Sequence, residues 1–100
     1  MADLKHDPAR AAEIADILKA LSHATRLMIV ARLADGEANV GELAASLETP
    51  QALVSQQLRI LRMSGLVEFR RENGFAVYKL AQPHLVDLLN CLERCRSVGN

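Results

Sequence analysis

The chain has no tryptophan, only three aromatic residues in 100, two cysteines, three prolines and a formal net charge of zero. Each scarcity excludes something. With so few aromatic rings the core falls to Leu, Val, Ala and Ile, side chains that favour helices packed on helices. Cys91 and Cys95, close together near one end, make no disulfide framework. No apolar run approaches the roughly 20 residues that a membrane-spanning helix needs. The opening stretch from Met1 to Asp7 lacks the layout of a signal peptide, which predicts a cytoplasmic protein with no membrane partner. Gly36, Gly41, Gly65, Gly74 and Gly99 are scattered, so there is no phosphate-cradling loop. His6, His23 and His84 have no Ser, Cys or acid at triad or metal-hydrolase spacing, and the chain is not expected to be an enzyme.

Net neutrality argues against a polyanionic partner until the charges are placed. Residues 1–48 carry five Lys/Arg against eight Asp/Glu (−3), residues 49–80 five against two (+3), and residues 81–100 two against two. The positive charge is therefore local. It coincides with the segment Thr49 to Gly65, which reads as one helix: Thr49 as its cap, Pro50 at its first position and Gly65 as a left-handed stop. Leu53, Val54, Leu58, Leu61 and, by spacing, Met63 are expected on one side, with Gln51, Ser55, Gln56, Arg59 and Arg62 on the other. Amide and guanidinium side chains read purine edges in a major groove and hold phosphates, so the polar face resembles a reader of double-stranded DNA.

Around this helix the chain organises simply. Residues 1–9 are expected to be a flexible tail ending at a helix-start signal, Pro8, and 10–98 a single domain. Helical periodicity runs from about Arg10 to Leu21, then from Arg26 to Leu33 after the link Ser22-His23-Ala24-Thr25, and again from Val40 to Leu47. A short apolar helix, a tight turn at Glu48-Thr49 and a longer polar-faced helix are the layout of a helix-turn-helix. After Gly65 the period becomes alternating: Leu66 to Arg71 and Phe75 to Leu80 are predicted strands joined at Glu72-Asn73-Gly74. Arg70, Arg71 and Lys79, with Asn73 at the tip, have the composition of a wing resting on a phosphate backbone, or of a hairpin kept soluble by charge. The fold class expected is mainly α with a small β-hairpin, a winged helix-turn-helix of about five helices and a two-stranded wing. No cofactor is required to form it. A winged-helix domain whose Gln/Arg face binds another protein remains the alternative to a DNA reader.

The blocks Leu18-Lys-Ala-Leu-Ser-His-Ala-Thr-Arg-Leu-Met-Ile-Val30, Val40-Gly-Glu-Leu-Ala44, Val54-Ser-Gln-Gln-Leu-Arg-Ile-Leu-Arg62, Gly65-Leu-Val67 and the wing from Arg70 to Leu80 closely resemble the ArsR/SmtB family of bacterial transcriptional repressors. The resemblance covers nearly the whole chain. It implies a homodimer formed mainly by the first and last helices, bound to an inverted-repeat operator and released by a ligand or a chemical modification. It also implies that Gln51, Ser55, Gln56 and Gln57 enter the major groove, with Arg59 and Arg62 on phosphates or packing further back. Independently, Ile14, Ile17, Leu18 and Leu21 at one end and Leu85, Leu88, Leu89 and Leu92 at the other exceed what one short domain conceals, although they could instead close the core.

The last helix, Gln82 to Arg96, sets His84, Cys91 and Cys95 within about 40° of arc at 100° per residue, with Asp87 at the edge. Three readings stay open: a thiophilic metal or metalloid held by Cys91 and Cys95 with His84 and Asp87, a reactive thiol pair beside Arg94, or small apolar side chains packed at an interface. Zinc sensors of the family carry ligands at positions matching Gln82, His84, Cys95 and Val98, of which only two are ligand types here. The resemblance gives no thiol at 40–44, where some relatives hold metal, and Ala31 stands where persulfide sensors carry a cysteine.

Overall fold

A computed structural model describes residues 3–95. A single 3-10 turn, Leu4–His6, precedes helix α1 (Pro8–Leu21), which begins two residues before the predicted start at Arg10. Asp7 starts α1 by accepting a hydrogen bond from the Arg10 amide at 3.0 Å, with Pro8 at the position where a missing N–H costs nothing. Helix α2 (Ala24–Ala34) begins two residues before the predicted start. Its cap is the His23 imidazole, whose Nδ1 accepts from the Thr25 amide, and not one of the neighbouring hydroxyls.

Helix α3 (Val40–Leu47) occupies the predicted span. Asn39 and Glu42 form a reciprocal box, the Asn39 side chain accepting from the Glu42 amide at 2.8 Å and the Glu42 carboxylate from the Asn39 amide at 2.9 Å. Glu48 then turns left-handed (φ 50°, ψ 47°) and ends the helix. After Thr49 and Pro50 comes helix α4 (Gln51–Met63). Thr49 does not cap it: its hydroxyl donates back to the Leu47 carbonyl at 2.9 Å, and Pro50 takes the cap position with no side-chain bond. The other end is as read. Gly65, at φ +76°, lets the Gly65 amide reach the Arg62 carbonyl and the Leu66 amide reach that of Leu61, closing the helix in a Schellman motif.

Strands β2 (Val67–Glu72) and β3 (Phe75–Leu80) form the hairpin, with Asn73 (φ 52°) and Gly74 (φ 82°) both left-handed as a two-residue turn requires. The sheet has a third member that the alternation did not reveal. β1 (Ala38–Asn39) pairs antiparallel with β3, giving the order β1-β3-β2. Helix α5 (Leu85–Arg94) closes the described chain and packs on α2. It begins later than expected, because Gln82, Pro83 and His84 precede it, and Arg96, the last residue of the predicted helix, lies outside the described residues.

The core is aliphatic throughout. Ile29, Val30, Leu43, Val54, Leu58 and Leu61 are wholly buried and meet Leu66 and Val67 from the start of the wing. The hairpin is thus anchored at its base by the same side chains that hold α4, which fixes the position of the wing relative to that helix. A two-stranded hairpin alone would be marginal.

Candidate nucleic-acid interface

On α4, at 100° per residue, Gln51, Ser55, Arg59 and Arg62 fall within about 80° of arc, with Gln56 farther round the same exposed side. All five are exposed. Gln57 is not. Two residues from Ser55 it lies about 200° away, on the inner face, where it is 6% exposed and its Oε1 accepts from the Arg26 guanidinium at 2.8 Å. The expectation that Gln57 reads DNA is therefore corrected: it ties α4 to α2. Arg26 also donates through Nε to the Ala20 carbonyl at the end of α1, so one guanidinium joins three helices. Met63, assigned to the apolar face, is likewise misplaced. It stands 75% exposed, because its angle falls among the polar residues.

The wing sorts its charges by face. Phe69 and Tyr78 are register partners with ring centroids 5.3 Å apart, and by the two-residue strand period Val67 and Arg71 share their side, the side toward α4. Glu68, Arg70, Glu72 and Lys79 take the other. There Arg70 donates to Glu72 at 2.8 Å and to Glu37 at 2.9 Å, while Lys79 meets Glu68 at 3.5 Å. Arg70 and Lys79, expected on phosphates, are thus already engaged by carboxylates on the face away from α4, and Asn73 is held in its turn by a left-handed backbone. Among the described residues no carboxylate lies within salt-bridge distance of Arg59, Arg62 or Arg71. The Glu37–Arg70 link between the α2–β1 loop and the wing was not foreseen, because the two residues are far apart in sequence.

The hydrogen bond from Arg70, with its charge, holds the Glu37 carboxyl below the usual carboxylate range. A depressed folded-state value means the bond's contribution is complete above the ordinary value and is lost as pH falls through the lower one. Both groups are exposed, so the effect on stability is small. The expected observation is local: the Glu37 side-chain carbon should titrate by NMR at lower pH than a free glutamate, and Arg70→Gln should return it to the ordinary range.

The last helix separates the predicted sensor residues. His84 sits 94% exposed with Asp87 at 3.7 Å, while Cys91 and Cys95 are exposed at the far end beside Arg94. Only Cys91 lies within α5, with His84 at its N-terminal cap and Cys95 at its C-terminal cap. At about 1.5 Å rise per residue, His84 stands about 10 Å from Cys91 and about 16 Å from Cys95 along the axis, too far for one ion within a protomer. Among the described residues no three His, Cys, Asp or Glu side chains converge on a metal position. Leu18 and Leu92, 51% and 44% exposed, leave apolar surface on α1 and α5, whereas Leu21 and Leu85 close the core.

Three helices with a tight turn before an exposed polar helix, followed by a sheet whose hairpin stands beside it, define a winged helix-turn-helix. The arsR-family model of bacterial regulatory proteins matches residues 23–68. A biofilm growth-associated repressor of Agrobacterium fabrum is 46% identical over 83% of this chain and 71% of its own length. The crystal structure of the transcriptional repressor BigR from Xylella fastidiosa superposes with a TM-score of 0.85 at 40% identity, covering 98% of this chain and 99% of that one. The homodimeric winged helix-turn-helix DNA-binding domain of Mb0332 from Mycobacterium bovis superposes with a TM-score of 0.79 at 30% identity, over 95% and 86%. The chain belongs to the arsR family of bacterial regulatory proteins.

Proposed function

We propose that the protein is a homodimeric transcriptional repressor that binds an inverted-repeat operator. The observation that carries this is the sorting of charge. Carboxylates engage the cations on the far face of the wing, while Arg71 on its near face and Arg59 and Arg62 on α4 carry none and lie with exposed Gln51, Ser55 and Gln56. A surface awaiting phosphates and base edges has this composition. The apolar surface left by Leu18 and Leu92 supports pairing through α1 and α5, and the names of the relatives support repression. Two-fold symmetry would set two α4 helices about 34 Å apart, one turn of DNA.

For the signal, Cys91 and Cys95 are exposed four residues apart, where a thiol oxidant or a thiophilic metalloid reaches them without unfolding. The test is selection from random duplexes followed by a salt titration. The expected outcome is a two-fold-symmetric site, affinity that falls steeply with salt, and a loss of about tenfold or more for the Gln56→Ala, Arg59→Gln variant at unchanged melting temperature. Affinity indifferent to salt, with no sequence enriched, would identify a protein-interaction module instead. Repeating the titration with arsenite or peroxide, on wild type and on the Cys91→Ser, Cys95→Ser variant, assigns the signal to the thiols only if the variant ceases to respond.

A further inference from the structure

The Arg62 guanidinium of α4 lies 5.4 Å from the centroid of the Phe69 ring, and the Arg71 guanidinium of β2 lies 6.0 Å from the same centroid. Two cations from different elements converge on one ring, and among the described residues neither has a carboxylate partner. Like charges gathered this way repel each other, and an aromatic face offsets only part of that. Nearby wing cations are treated differently, since Arg70 has two carboxylates and Lys79 one. Both guanidiniums are exposed and so remain open to an anion from outside the chain. Phe69 is itself held from the other strand by Tyr78, with ring centroids 5.3 Å apart, and it remains 37% exposed although it follows buried Val67 on the same side of β2.

We infer that Phe69 is a positioning residue, whose ring holds the Arg62 and Arg71 guanidiniums together as a seat for one phosphate diester of the DNA backbone. The inference rests on the DNA-binding reading above and deepens it. A planar guanidinium offers a fork of donors matched to phosphate oxygens, and stacking fixes its plane before the phosphate arrives, so less side-chain freedom is lost on binding. The seat spans the reader helix and the wing. Occupying it therefore sets the angle at which α4 enters the groove.

Because phosphate contacts are independent of sequence, the test uses a fluorescent duplex of mixed sequence and full-length dimer, with affinity measured against salt. Arg62→Gln and Arg71→Gln should each lower the slope of log affinity against log salt by about one. Phe69→Leu should weaken binding about fivefold through the lost stacking, and Phe69→Tyr should stay within about twofold of wild type because the ring is kept. In the Arg62→Gln, Arg71→Gln background, Phe69→Leu should cost nothing further. The free wild-type protein should show ring-current upfield shifts of the Arg62 and Arg71 side-chain protons, a reading that stands even if Phe69→Leu folds poorly. If wild type lacks salt-dependent binding, the functional proposal itself fails. If the arginine variants lower the slope while Phe69→Leu matches wild type, if its cost persists without the two arginines, or if the shifts are absent, Phe69 has no positioning role.

Discussion

Leu58→Ala is expected to lower the unfolding free energy by about 2–5 kcal/mol, the range for removing a fully enclosed leucine and leaving the cavity behind. Leu58 has no exposed surface and sits among Val54, Leu61 and the residues of α2 and α3 that lock α4 in place. With about 5–15 kcal/mol available to a domain of this size, one such change consumes a large part of the margin. Met63→Ala, five residues along the same helix, should cost almost nothing because Met63 is already three-quarters exposed. Urea melts of the two variants at matched protein concentration check the contrast, since the proposed dimerisation would make stability concentration-dependent. Equal effects would mean that α4 is rotated from the placement described.

Arg26→Ala should be the second large effect, costing about 1–3 kcal/mol by stranding the Gln57 amide oxygen inside the protein. Among the described residues no buried side-chain polar atom lacks a hydrogen bond, so this one would be conspicuous. The loss should reach function too. Gln57 is on the inner face of α4, and without its tether the outer face carrying Gln51, Ser55 and Arg59 is free to roll. The informative companion is Arg26→Met with Gln57→Leu, which removes both partners and should recover most of the stability. DNA affinity that recovers along with it would show that packing alone orients the helix. Affinity that stays low while stability returns would show that the polar tether sets the orientation.

Much of this architecture was legible before any coordinates. The span of α3, the left-handed stop at Gly65 and the Asn73-Gly74 turn depend on the backbone preferences of residues next to one another, and local chemistry decides them. What failed were expectations needing a partner from elsewhere. Ala38 and Asn39 are too few to show an alternating pattern and become a strand only because β3 lies alongside. Thr49 has the chemistry of a cap, but its hydroxyl finds the Leu47 carbonyl instead. Gln57 is different in kind: its angular position alone turns it inward, whereas family resemblance implies a place in the groove.

The sequence by itself determined the five helices and the two strands of the hairpin, where the positive charge gathers, and that a short helix and a tight turn precede a longer helix with a polar face. Those depend on periodicity and on neighbours in the chain. Only the tertiary structure decided which cations remain open to an anion, because an arginine's fate depends on whether a carboxylate arrives through space. Arg70 meets Glu37 across 33 positions of sequence, whereas Arg71, its neighbour, points to the other side of the strand and meets Phe69.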